Sequence, residues 1–496
     1  MKNVLSFDFG ASSGRAILGT YDGSNLQLKE VHRFENKPVI LNDTLSWDID
    51  MLFGEIKKTL KTVCKRTTVD SIAVDTWGVD FGLINEGGEL IDNPVHYRDT
   101  RFEGLIEEVQ KSFSLAKLYK MTGNQIINFN TIFQLAYLKK YQEKYLNEAK
   151  AMLLMPDLFN YLLTGIEKAE ETIASTTQLF DPYKKTWNEE IIHTLGFPRK
   201  IFKDLVKPGN EIGLISRELA EELSISQIPV IATTSHDTAS AVVSVPTPYD
   251  DFLFISCGTW SLIGTELKEP IISEKSVAYN ITNESGINGT TRFLKNVTGL
   301  WVLQETKKQF EREGRRYSYD DITKLAEEAE AFKCFIDTDH YDFQFPGDMP
   351  TTIKAYAQKT RQPVPETDGE IFRSIYESLA LKYRYVFEEV MDCVEKRFKR
   401  VHVVGGGSKA EILCQMVANA SNMEIMAGPV EATVIGNSLV QLISQNIVNG
   451  VSEGREIVRR SFPVKLYQPE KYEAWNAQYK RYKNILKFTN DSKGSL

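Results

Sequence analysis

The chain has 496 residues, 42% of them hydrophobic and 25% charged, with a formal net charge of −8. That length exceeds what one core accommodates, so about two to four domains are expected. An ordinary globular composition without a block of basic residues argues against nucleic acid or an anionic membrane as the main partner, and leaves phosphate binding to backbone N–H groups or a metal.

The first element is an apolar run from Val4 to Phe9 that carries one carboxylate, Asp8. It breaks at Gly10-Ala11-Ser12-Ser13-Gly14 and resumes at Ala16-Ile17-Leu18. No lysine follows the glycine and no helix follows the turn, so neither a P-loop nor a dinucleotide fingerprint fits. What remains is a β-hairpin whose glycines permit an anion nest of N–H groups, or a plain surface turn. The stretch 71–84, SIAVDTWGVDFGLI, has the pattern of strand, turn, strand. Residues 103–147 are helix-rich. LLMPDLFNYLLTG (153–165) predicts a helix begun at a proline and closed by Gly165. IPVIATTSHDTASAVVSV (228–245) predicts a buried strand and then a helix opening near Asp237. VPTPYDD, with two prolines and two acids, marks a boundary near 246–250.

At 251 the opening pattern returns as DFLFISCGTWSLIGTEL. An apolar strand (Phe252 to Ile255) meets a small turn (Ser256 to Thr259) and a second strand follows (Leu262, Ile263). Two copies half a chain apart imply two similar α/β domains, 1–246 and 247–485, facing each other across a cleft. Further on, residues 369–394 predict a long amphipathic helix, and 399–421 a strand, the glycines Gly405 to Gly407, and another helix. The polar tail 486–496 is expected to be frayed.

Several residues invite chemistry, each with a plainer alternative. Asp237 is either a carboxylate base at the carboxyl end of a strand or a helix N-cap. Asp8 is either a magnesium site, through water, or a strand-end turn former. The segment Asp75 to Phe81, including Gly78 and Asp80, is either a sugar platform or a hairpin around a core tryptophan. Gly405 and Gly406 allow close approach of a flat ring or phosphate, or make a tight turn. The six histidines show no metal-ligand spacing and there is no G-x-S-x-G elbow. Five cysteines (Cys64, Cys257, Cys334, Cys393, Cys414) form no CxxC pair, as expected of a reduced, cytoplasmic protein. No signal-peptide pattern and no apolar run of about 18 residues is present, so no membrane span is expected.

Together DFGASSGRAI, DTWGVDFGLI, YRDTR, SHDTASAV, SCGTWSLIG, NITNESG, VVGGGS and AGPVEATVIGN resemble the FGGY family of carbohydrate kinases, within the actin/hexokinase/Hsp70-like superfamily. The resemblance runs from about residue 4 to 445. It implies an α/β fold of two actin/hexokinase-like, ribonuclease H-like domains with a catalytic cleft between them. It further implies ATP and Mg²⁺ as cofactors and a ketose as substrate: phosphorylation of L-rhamnulose at its 1-hydroxyl, with L-fuculose or D-xylulose as alternatives. Under it, Ala11, Ser12, Ser13, Gly14 and Arg15 lie along the ATP phosphates. Gly258 and Thr259 meet them from the second domain, and Gln304, Gly405 and Gly406 border the nucleotide. Gly78, Asp80, His236, Asp237, Thr238 and Asn296 line the sugar, Asp237 is the catalytic base and Asp8 the metal residue. A monomer or homodimer is expected, with no nucleic-acid or membrane partner. A chaperone-like ATP module needs a peptide-binding domain, for which too few residues follow AGPVEATVIGN. A glycosidase leaves the duplicated hairpins unexplained.

Overall fold

In a computed structural model the chain is described over residues 1–249 and 251–491. Its packing divides it into two units. The first contains Met1–Asp250, Glu266–Phe293 and Ala432–Phe462, and the second Asp251–Thr265, Leu294–Glu431 and Pro463–Leu496.

Alternation along the opening strand, Lys2–Phe9, sets the layers of the first unit. Successive side chains of a strand point to opposite faces. Leu5, Phe7 and Phe9 join a core with helices Ile49–Val63, Met155–Thr164 and Arg217–Leu223. On the other face Val4 joins Ile435, Leu439 and Val440 of helix Ala432–Ser444. On that same face Ser6 lies 3.0 Å, oxygen to oxygen, from Ser438. Asp8 follows two residues later, so this face grows more polar toward the carboxyl end of the strand.

The strand forms an antiparallel hairpin with Ser13–Tyr21, with Asp8 opposite Arg15. A third antiparallel strand, Leu26–Glu35, extends it. On its other edge it pairs in parallel with Ser71–Thr76, which places Asp8 beside Asp75. Pro229–Ile231 follows in parallel, and Glu211–Leu214 closes the six-stranded sheet. The second unit repeats the plan. Leu253–Cys257 pairs antiparallel with Trp260–Leu267, and in parallel with Arg400–Val404. Arg400–Val404 is in turn parallel to Glu424–Ala427.

Helix Met155–Thr164 has its proline in the first turn and ends at Gly165 with φ 76°, as expected. The long helix is Asp368–Val394, capped by Thr367 and Glu370. Residues 71–84 hold the expected strand, turn and strand, Ser71–Thr76 and Phe81–Asn85, but not as a hairpin: Phe81–Asn85 leaves the main sheet and pairs with Ala149–Leu154. The cause is local, since Val79 takes φ 68°, a conformation costly for a β-branched residue, and turns the chain away.

By packing, Glu266–Phe293 and Ala432–Phe462 also belong to the first unit, which is therefore discontinuous in sequence. Helix Ala432–Ser444 packs on Asp237–Val243 so closely that a Cβ on Gly436 would lie 1.8 Å from the Ser240 carbonyl oxygen. The expected tail is partly ordered: helix Tyr472–Asp491 runs through 486–491, with Trp475, Tyr482 and Leu486 buried. Residues 492–496 lie outside the described residues.

Candidate active site

In the first unit, the carboxyl ends of parallel strands gather charge, the usual location of sites in open α/β sheets. Asp8 and Asp75 are register partners, and Thr76 bridges in parallel to His236. Asp237 follows as the first residue of helix Asp237–Val243, with His236 at the N-cap position. Its carboxylate is therefore not the helix cap. The side chain is one-third exposed, and Thr238 Oγ1 donates to its Oδ1 at 3.1 Å.

Burial, opposed by His236 and aided by the nearby Asp8, raises Asp237 above the ordinary carboxylate range. Burial and then Asp8 push fully buried Asp75 well up. Asn437 Nδ2 donates to its Oδ2 at 2.5 Å, while its Oδ1 has no hydrogen-bond partner. Asp8 is held differently. Arg15, directly across the hairpin, donates to Asp8 Oδ2 from Nε at 2.9 Å and from a terminal nitrogen at 2.7 Å. In the turn, Gly10 N–H donates to the Ser13 carbonyl, and Asn36 Nδ2 donates to the Gly10 carbonyl at 2.8 Å. Ser12 is exposed, Ala11 and Ser13 are half-buried, and a Cβ on Gly14 would lie 2.1 Å from the Phe34 ring.

Gly78 lies against Thr176, whose Oγ1 a Cβ would approach to 3.2 Å. Asp80 departs from its expected role at the sugar. It is fully buried, and its carboxylate accepts from Trp47 Nε1 (2.7 Å), Trp77 Nε1 (3.0 Å) and Gln134 Nε2 (2.9 Å). Burial, only partly offset by these donors, raises it to about 7. Its work is to clamp the two indoles behind the Gly78–Val79 turn. Glu170, also raised to about 7 chiefly by burial, accepts from Thr172, Ile173 and the backbone N–H of Ser235, and so fixes the strand end before His236.

The second unit holds the other expected residues. Between its hairpin strands lie Gly258 and Thr259. Their carbonyls accept from Leu300 N–H at 2.9 Å and Gly299 N–H at 3.0 Å, and Thr259 Oγ1 donates to Gln304 Oε1 at 3.3 Å. Gly405 takes φ 84°, and a Cβ on Gly407 would lie 2.1 Å from Cys257 Sγ, so the glycine turn packs directly on the end of that strand. A Cβ on Gly406 would meet nothing within 4 Å, which leaves open space beside the backbone. Asn296 is half-buried on strand Thr291–Thr298 in this unit, apart from the other sugar candidates in sequence and in packing unit.

Among the described residues, no group of three His, Cys, Asp or Glu side chains is arranged to hold a metal, and no helix is long and apolar enough to cross a membrane. A magnesium that arrives with phosphates needs only one or two carboxylates. Asp8, beside two further carboxylates that its charge perturbs, fits that requirement.

Comparison with known proteins decides the family. Residues 3–244 match the model of the FGGY family of carbohydrate kinases, N-terminal domain, and 253–444 match that of the C-terminal domain. The chain belongs to the FGGY family of carbohydrate kinases. It is 39% identical over 487 residues to a rhamnulokinase of Bacteroides thetaiotaomicron, covering 98% of this chain and 100% of that one. It is 40% identical to a rhamnulokinase of Halalkalibacterium halodurans, covering 94% and 99%. The fold is that of a ligand-bound xylulose kinase from Lactobacillus acidophilus, with TM-score 0.81 at 16% identity and coverage of 100% and 99%. A Plasmodium falciparum glycerol kinase with ADP gives 0.78 at 14%, over 100% and 99%. As an FGGY kinase the protein is a phosphotransferase with an alcohol acceptor.

Sequence reasoning singled out His236, Asp237 and both glycine turns. It did not single out Glu170 or Asn437, nor Glu284 and Arg292, which are buried in the first unit. Glu284 sits within NITNESG, but a single acid between polar neighbours gives no sign that it is buried.

Proposed function

We propose that the protein transfers the γ-phosphoryl group of ATP to the 1-hydroxyl of L-rhamnulose, giving L-rhamnulose 1-phosphate and ADP. The observation that carries the choice of sugar is the near-complete coverage by rhamnulokinases at 36–40% identity.

Asp237 takes the proton of the attacking hydroxyl. Its half-buried carboxylate, pushed up by burial, is a better base than an exposed one, and it stands free of any arginine or lysine bond. His236, Thr238, Gly78 and Asn296 orient the sugar, and Asp80 supports that platform from behind. Ala11 to Arg15 and Gly258–Thr259 carry the phosphates, and Gln304, Gly405 and Gly406 the nucleoside. Asp8 would hold magnesium, through water, and the ion would supply charge neutralisation at the phosphates. Phosphoryl transfer passes through a loose transition state, so these residues act mainly by positioning and charge. The open backbone at Gly406 and the buried carboxylates around Asp237 support this assignment. Five unbridged cysteines support a reducing, cytoplasmic setting.

A coupled ADP-release assay across L-rhamnulose, L-fuculose, D-xylulose and glycerol tests the reading. The highest kcat/KM is expected with L-rhamnulose. Preference for another ketose would transfer the assignment to that sugar, and ADP release indifferent to all four would overturn it.

A further inference from the structure

Behind His236 lies a charged group that the mechanism above leaves unused. Arg292 is fully buried in the first unit, and its Nε donates to the Ser285 carbonyl at 3.0 Å. One terminal nitrogen, Nη2, lies 3.0 Å from Glu284 Oε2. The other, Nη1, lies 3.2 Å from His236 Nδ1. Glu284 Oε2 is also 3.2 Å from that ring nitrogen, but not in the alignment of a ring N–H hydrogen bond, and it balances the guanidinium charge, which, against burial, lowers its pKa together with His236. An arginine nitrogen only donates. Nδ1 of His236 therefore accepts, and the ring proton resides on Nε2, which lies 3.4 Å from Asp237 Oδ1. The backbone of His236 is fixed as well, its N–H donating to Thr172 Oγ1 at 3.4 Å.

We propose that Arg292 is a positioning residue that locks His236 in its Nε2–H tautomer, so that the imidazole presents a donor on the side of Asp237. A ring locked this way steadies the Asp237 carboxylate and offers a donor to a sugar oxygen, but offers no acceptor to a sugar hydroxyl. Asp237 is then left as the acceptor for the reacting proton. The kinetic consequence rests on the proposed sugar phosphorylation, whereas the tautomer does not.

The test is ¹⁵N NMR of the full-length protein labelled at histidine, with the His236 signals assigned by their loss in His236→Gln. The expected spectrum is that of a neutral ring with protonated Nε2 and bare Nδ1. A protonated Nδ1 would overturn the proposal, and this readout on the unaltered protein needs no variant to fold. In the double variant Arg292→Met/Glu284→Gln, which removes both charges together, mixed tautomers are expected. The ketose kcat/KM should fall by roughly 10- to 100-fold, as on loss of an orienting partner, with KM for ATP nearly unchanged. Arg292→Lys, which keeps one donor, should restore most of the loss. A folded double variant with the original tautomer and full kcat/KM would refute the lock. If none of the ketoses is phosphorylated, the proposed function falls while the spectrum still decides the tautomer.

Discussion

The two glycine hairpins share a topology and differ in what crosses them. In the first unit Asp8 and Arg15, one register pair back from the bend, are joined by two charged hydrogen bonds within 3 Å. In the second the corresponding pair is the uncharged Ser256 and Leu262, and the next pair, Cys257 and Ser261, is also neutral, with Ser261 Oγ 2.6 Å from the Tyr383 hydroxyl. The backbone bend is the common part, set by glycine and by one antiparallel and one parallel neighbour. In the proposed reaction both bends carry phosphates; the first adds a charged pair beside its bend, whereas the second adds neutral side chains against which the Gly405–Gly407 turn packs. Duplication of a scaffold has therefore left two similar bends whose flanking side chains differ, charged in the first and closely packed in the second.

The largest expected effect lies beside the charged hairpin. Asp237→Asn should lower kcat by about 10²- to 10⁴-fold, the contribution of a general base, with KM for ATP changed only a few-fold. Near-normal turnover in the ADP assay would remove Asp237 from the chemistry. Arg15→Ala comes next, because it leaves Asp8 facing Asp75 and Asp237 without its countercharge. A loss of about 2 kcal/mol in kcat/KM for ATP is expected, more than tenfold. If only thermal stability changes, the charged pair is as structural as the neutral side chains of the second hairpin.

In the neutral hairpin the effects should fall on stability. Gly407→Ala drives a methyl group into Cys257, so unfolding in urea should show a loss of about 1–3 kcal/mol. Ser261→Ala removes the buried hydrogen bond to Tyr383 and the weaker one to Cys257 Sγ, which together correspond to about 1 kcal/mol or somewhat more, and should leave kcat intact. An activity loss larger than the stability loss would make these neutral side chains more than a packing surface.

A pH effect separates the first unit further. Asp80 rises from 3.8 to about 7 and Glu170 from 4.5 to about 7, chiefly by burial. Both bind a proton more tightly folded than unfolded. The stability they contribute is fully present below their ordinary values and is lost as pH rises through about 7. Asp80→Asn, which keeps the shape without the charge, should therefore flatten the fall of Tm between about pH 5 and 8. An unchanged slope would show that Asp80 titrates normally.

Local features were legible in the sequence. Glycine between apolar runs marked both hairpins, and Pro156 with Gly165 marked a helix that the structure bounds at Met155–Thr164. Asp237 stood out as a carboxylate between a strand and a helix, although a helix N-cap explains that position equally well from sequence alone. Non-local pairings were not legible. Nothing near Phe81 specifies Ala149–Leu154 as its strand partner, and the positive φ of Val79 comes from its surroundings, against its own preference. Asp80 illustrates the limit in a site: its four residues of context suggest a sugar, while the donors that claim it arrive from Trp47 and Gln134. Arg292 and Glu284 look like ordinary surface charges until both are found buried around one imidazole.

Gly436 carries a consequence for how the protein is made. The layer that covers Ser6, Asp75 and Val243 comes from residues beyond 431, so the ribosome releases it only after every strand of that sheet has been made. Until then the sheet bearing the reactive carboxylates has one bare side. That non-local pairing is slow to form, and an uncovered apolar face invites aggregation while it waits.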